Sequence, residues 1–390
     1  MKKFYKKYPG LTIFLFNAVV IFAILQMADL YFKNKFSNDN VGYKNKGIKR
    51  DIRLREGRPL ADLYIVPNDD IIGRSDNLEQ KPYIHRYDEN GFLLPNNGYE
   101  NPDAEIYFLG GSTTMCSFNE ETARFPYLCG KLLSEKTGKK INTYNAAHSN
   151  NNSLHSINIL LNKIIPQKPD KVVMMHNCND FCTLSTYENY WNNNSRDLAP
   201  LFETPAPRKP FLSMLVSLKD WLFPSLYTAV EKAVSGKKTT ASGISKKKKA
   251  YMGDGYYVDL FSKNLELFIA MCRAENIEPV LMTQAHRLLE KPEPAVQKYY
   301  EFMAGPYEHQ VPLSYAQFRN LELIFNETIR KVGAAEKVMV IDLEKNIPAQ
   351  KEYMYDPYHL TDKGCEMAAA IISDSLAAPM LADMRGISAN

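Results

Sequence analysis

Residues 104–380 are predicted to form a doubly wound α/β domain. Five short apolar runs recur there: Ile106–Leu109, Ile141–Tyr144, Lys171–Met175, Pro279–Thr283 and Val338–Leu343. They are continuous rather than alternating, as in parallel strands covered on both faces. Helical stretches fall between and after them, at about 120–137, 153–165, 257–276, 315–334 and 361–377. The fourth carries Phe318, Leu321, Ile324, Phe325, Thr328 and Ile329 at helical spacing, one stripe turned to a core. Strand and helix in repeated alternation imply a sheet with helices on its faces.

The segments before this domain read differently. Leu11–Leu30 is apolar apart from Asn17, with Gln26 and Asp29 at its exit, and matches the roughly 20 residues a helix needs to cross a bilayer. A cleaved signal peptide is the main rival, but neither a small-x-small cleavage site nor a lipid-accepting Cys follows. An uncleaved anchor is therefore expected at 11–30, with 1–10 as a cytoplasmic tail. Lys2, Lys3, Lys6 and Lys7 favour that orientation, although Lys33, Lys35, Lys44, Lys46 and Lys49 lie beyond the span. The bulk of the chain is then extracytoplasmic, periplasmic or extracellular. Residues 31–103 are polar and broken by Gly, Pro and Asn, read as a stalk to about residue 55 and an irregular lead-in with short strands.

An insertion is expected at about 184–256. It holds the apolar Phe211–Leu218 and Trp221–Leu226, open to three readings: a lid, a helix on the membrane surface, or a packed excursion. Lys246–Lys249 closes it, read as a solvated loop with contact to anionic lipid or polymer as the alternative.

A net charge of +4 over 390 residues is too small and too dispersed for a nucleic-acid binder. Aromatic content of 12%, mostly Tyr, suits contact with carbohydrate without specifying it. Six cysteines (Cys116, Cys129, Cys178, Cys182, Cys272 and Cys365) permit disulfides in an exported domain or stand as small buried thiols. Their spacing makes no zinc site, and no cofactor or metal is expected.

Four segments carry chemistry. Gly110 and Gly111 end the first strand and allow a tight turn into Ser112, near a helix N-terminus whose amides stabilise negative charge; a plain helix cap is the other reading of that serine. In a doubly wound sheet, ligands bind beyond the carboxyl ends of the strands, where the strand order reverses. With the order 2-1-3-4-5 that point lies between the strand before Ser112 and the strand before Asn179. Asn179 can then present its side-chain amide to an oxyanion formed at Ser112. Asp356 and His359, past the fifth strand, are spaced so that the acid can orient the imidazole that serves Ser112 as base. His148 and His176 fall near these segments and are read as packed or supporting residues more than pocket-lining ones.

Taken together, these segments resemble the SGNH, or GDSL-type, hydrolase superfamily over roughly residues 104–378. Ser112 matches the family nucleophile, Asn179 the oxyanion asparagine, Asp356 and His359 the D-x-x-H pair, and Asn145–Asn150 the second block. The resemblance implies a flavodoxin-like three-layer α/β/α fold and esterase, lipase, carbohydrate deacetylase or acyltransferase chemistry. It also places oxyanion donors at Ser112, Asn150 and Asn179. The chain departs from the pattern at Asn150 and Asn177, where the family has glycines, and in Gly-Gly-Ser where the family has Gly-Asp-Ser. Asn tolerates left-handed backbone angles, so the donor at 150 can survive.

The expected activity is a membrane-anchored serine esterase that removes O-acyl groups from an extracytoplasmic glycan, with a lipid-like ester as another substrate class. An O-acyltransferase acting on a polysaccharide needs the same triad. A catalytically weak glycan-binding module is the non-enzymatic alternative, favoured by the two replaced glycines. An α/β-hydrolase fits less well, because Thr114 stands where its G-x-S-x-G elbow needs glycine.

Overall fold

A computed structural model describes residues 8–36, 54–191, 251–304 and 313–384. Chain contacts divide the protein into two units, Met1–Gly47 with Leu198–Lys248, and Ile48–Asp197 with Lys249–Asn390. The described part of the first unit is one helix, α1 (Pro9–Phe36), which starts on a proline as helices often do. Its stretch Pro9–Ala28 is long and apolar enough to cross a membrane, about 30 Å at 1.5 Å per residue. Leu11, Phe14, Phe16, Val19 and Ile21 along it are all exposed, so it is not a core helix. The apolar and lysine-rich parts of the 184–256 insertion, most of the stalk, and the N-terminal lysines lie outside the described residues.

The second unit opens with β1 (Asp62–Ile65), α2 (Asp69–Gly73) and β2 (Tyr83–Arg86), the two strands pairing antiparallel with Asp62 opposite Arg86. Then come β3 (Ala104–Gly110), α3 (Ser112–Met115), α4 (Phe125–Thr137), β4 (Ile141–Asn145), α5 (Ser153–Ile159), β5 (Lys171–Met175) and α6 (Cys178–Tyr187). After the insertion follow α7 (Asp254–Ala274), β6 (Glu278–Met282), α8 (Pro294–Ala304), α9 (Tyr315–Glu336), β7 (Met339–Ile341), α10 (Leu343–Asn346) and α11 (Asp362–Met384).

The main sheet is parallel in the order β4-β3-β5-β6-β7, which is 2-1-3-4-5 counted within the domain. Strand residues alternate between two separate cores. Tyr107, Leu109, Val172, Met174 and Leu281 face α5, α6, α7 and α9, whereas Ile106, Phe108, Val173, Met175 and Val280 face α4 and α11. The central strands β3, β5 and β6 are thus buried on both faces, which is why their sequences read as apolar runs. The result is the flavodoxin-like three-layer arrangement.

Local signals explain most boundaries. A capping box of Ser314 and Gln317 starts α9, and Gly138, in the left-handed region, ends α4. The single helix expected at 153–165 is instead α5 followed by a π turn over Leu160–Ile164 and a short 3-10 turn. Pro166 lacks the N–H that would continue an α-helix there. The helix α8 escapes a reading by periodicity because Pro292 and Pro294 make its surroundings look like loop.

Candidate active site

Gly110 pairs with Met175 in register, so β3 and β5 end side by side at the point where the strand order reverses. Ser112 leaves the first as the opening residue of α3, and Asn179 lies in the first turn of α6 after the second. A side chain at either preceding glycine would block the turn. A Cβ at Gly110 would collide with Thr114, and one at Gly111 with the Asn179 amide. Because α3 is a single turn, it supplies individual N–H groups rather than the macrodipole expected of a longer helix.

Asp356 and His359 arrive from the loop between α10 and α11. His359 Nε2 lies 2.7 Å from Ser112 Oγ, and His359 Nδ1 lies 2.6 Å from Asp356 Oδ2. Asp356 Oδ1 accepts the backbone N–H groups of Tyr358 at 2.9 Å and His359 at 2.8 Å. A carboxylate only accepts, so the imidazole carries its proton on Nδ1 and offers the Nε2 lone pair to the serine hydroxyl. Tyr355 lies parallel to the ring, with 5.6 Å between centroids.

Several residues that sequence reading did not single out hold this geometry. Fully buried Arg287, beyond β6, donates from Nη1 to Met354 O at 2.7 Å, accepts no freedom to swing because Asp76 and Glu293 grip its other end, and gives its backbone N–H to Pro357 O. Asn119 donates to Leu360 O at 3.1 Å, tying the chain after Ser112 to the histidine loop. Gln284 donates to Thr113 Oγ1 at 3.2 Å. The contacts of Arg287 with Met354, Gln284 with Thr113 and Asn119 with Leu360 span 67, 171 and 241 residues of sequence, so no local motif announces them.

Asn150 has φ +61, the left-handed conformation that asparagine tolerates. The Asn179 amide donates to Asn151 O at 2.8 Å and keeps a second N–H for a ligand. Asn150, Asn179, Ser112 and His359 all line one pocket of about 380 Å³, within the range of small-ligand sites. Its wall is completed by Ile71 and Arg74 of the lead-in and by Tyr299, Phe302 and Met303 of α8. Asn177 does not enter this pocket's lining; it is buried and donates to Glu322 O at 2.9 Å.

His176 packs behind the site, 2.6 Å from Ser156 Oγ and 3.6 Å from Asp180, while His148 bonds Ser149 O at 3.1 Å. All six cysteines are thiols, with Cys116 and Cys365 3.7 Å apart and Cys178 and Cys182 3.9 Å apart. Burial holds three histidines neutral: His176 is pushed down to about 3, and His85 and His286 to about 4. Unfolding returns them toward about 6.5, so the unfolded chain binds protons first. Their contribution to stability is present above about pH 6.5 and is lost as pH falls toward the folded values. Asp180, raised to about 6 by burial, opposes this below pH 6, and Asp88 and Glu322, whose carboxyls burial also raises, oppose it too; the three histidines are expected to outweigh them between pH 7 and pH 5. Thermal melts are expected to show Tm falling from pH 7 to pH 5; a Tm that rises over that range would contradict the assignment of neutral buried histidines.

No family model and no curated protein matches the chain. It is similar to solved structures of an acetylxylan esterase from Geobacillus stearothermophilus (13% identity, 70% of this chain, 94% of the other, TM-score 0.41) and a lipase/acylhydrolase from Enterococcus faecalis (16%, 71%, 96%, TM-score 0.40). A third is a GDSL-like lipase from Bacteroides thetaiotaomicron (12%, 71%, 89%, TM-score 0.38).

Proposed function

We propose that the protein is a serine acylhydrolase of SGNH type, anchored by α1 and acting outside the cytoplasm on O-acyl groups of a glycan. The observation that carries the reading is the unbroken hydrogen-bond chain from Ser112 through His359 to Asp356. Ser112 Oγ attacks the ester carbonyl as His359 Nε2 takes its proton, and Asp356 stabilises the imidazolium. The backbone N–H groups of Ser112 and Asn150 and the Asn179 amide receive the oxyanion. The alcohol leaves with the proton from His359. Water, deprotonated by the same nitrogen, then attacks the acyl-serine and releases the acid, returning the proton to Ser112.

The glycan and the extracytoplasmic placement rest on the resemblance and on the apolar α1; the acyl chemistry rests on the triad geometry. Full-length protein in detergent, given an acetyl ester and an oligosaccharide, should release acetate without acylating the sugar. Acylated oligosaccharide above the level without enzyme would turn the reading to a transferase. Asn179→Ala should lower kcat about 10²- to 10³-fold with little change in KM, the effect of losing one oxyanion donor. An equal loss through KM alone would place Asn179 in ground-state binding instead.

A further inference from the structure

The pocket beside Ser112 contains a cation that no carboxylate among the described residues pairs with. Arg74 follows α2 and lines the same cavity as Ser112 and His359. Its guanidinium carbon lies 3.6 Å over the Phe302 ring centre and 5.9 Å over that of Tyr299. Its Nη1 is buried, yet no described residue accepts a hydrogen bond from it. Arg287 is matched by Asp76 and Glu293 and Arg330 by Asp342 and Glu344, and buried Arg124 gives its Nη1 and Nη2 to the carbonyls of Leu94 and Ile84, whereas neither Nη of Arg74 has such a partner among the described residues. A buried donor without an acceptor is costly, and an arginine stacked on an aromatic face keeps its in-plane N–H groups available for a carboxylate or other oxyanion.

The rest of the lining points the same way. Asp356 is the one carboxylate among the described residues that line the pocket. Both oxygens of Asp356 are already engaged by His359 and by two backbone N–H groups. An arriving anion therefore meets the unmatched Nη1 of Arg74 and, among the described lining residues, no free acid.

We propose that Arg74 forms a subsite for an anionic group on the ester substrate, so that the substrate is an O-acyl ester of an acidic sugar. Its carboxylate, sulfate or phosphate oxygens accept the unmatched N–H groups of Arg74 while the acyl carbon meets Ser112. This rests on the acylhydrolase reading above and specifies its substrate.

The test compares O-acetylated methyl glucoside with the matching O-acetylated methyl glucuronide and methyl glucoside 6-sulfate, using full-length protein at low salt. The wild type should favour at least one anionic ester by roughly ten- to hundredfold in kcat/KM, mainly through KM, as expected for hydrogen bonds to a charged group. In Arg74→Met, which keeps an apolar stem over Phe302, the ratio of anionic to neutral ester should fall to about one; Arg74→Lys should restore part of it. A wild-type ratio near one, or a ratio retained in Arg74→Met, overturns the subsite. Should none of the esters be turned over, calorimetric titration of the Ser112→Ala protein with methyl glucuronide separates the two claims. Binding that Arg74→Met removes supports the subsite while the hydrolase reading falls, and no binding sinks the subsite as well.

Discussion

Replacing Ser112 with alanine is expected to lower the rate of ester hydrolysis by about four orders of magnitude or more, with the melting temperature little changed. The hydroxyl touches one group that matters for the reaction, His359 Nε2 at 2.7 Å, and caps nothing on its own helix. Its removal deletes the nucleophile and leaves His359 still held by Asp356. Initial rates on a nitrophenyl acetate, with thermal melts on the same samples, check this. Retention of more than a few per cent of activity in a folded Ser112→Ala protein would mean that another group attacks the ester.

Asp356→Asn should cost nearly as much, about 10⁴-fold in kcat, for a reason visible in the hydrogen bonds. One carboxylate oxygen accepts the N–H groups of Tyr358 and His359, a position that only an oxygen can fill. The asparagine oxygen therefore takes that place and turns its NH2 toward His359 Nδ1. The ring must then accept at Nδ1 and carry its proton on Nε2, where it can no longer take one from Ser112. The variant should fold, since the loop is pinned separately by Arg287 and by the Met354–Leu360 bridge. A folded Asp356→Asn protein within tenfold of wild-type kcat would contradict the tautomer assignment.

Much of this arrangement was legible from local sequence. The central strands announced themselves because burial on both faces selects apolar residues along most of each run, and Lys171–Met175 is an observed strand with the bounds read from the sequence. Ser112 and Asn179 could be placed because each sits within a few residues of a strand end, where the topology fixes its neighbourhood; Asp356 and His359, well past β7, could be placed by their three-residue spacing in the loop before the last helix. Asn150 adopts the left-handed backbone its residue type suggested.

What stayed hidden depends on long-range contact. Arg74, Arg287 and Asn119 reach the site from positions whose local sequence is unremarked, and α8 lies among prolines that break any periodic signal. The pocket wall it provides, Tyr299 with Phe302 and Met303, is a product of tertiary packing. The disulfide option also came from cysteine count alone, whereas the six residues are buried or half-buried thiols, four of them in two neighbouring pairs. The single turn of α3 is another case, since the residues after Met115 turn away with Cys116 in the left-handed region.

The most direct measurement is covalent labelling of full-length protein with a fluorophosphonate, followed by peptide mapping. A serine activated by His359 and facing oxyanion donors is expected to yield one phosphonyl adduct, on the peptide containing Ser112, and none in Ser112→Ala. Folded wild-type protein that takes up no label, or takes it up at a different residue, would contradict a serine nucleophile at position 112.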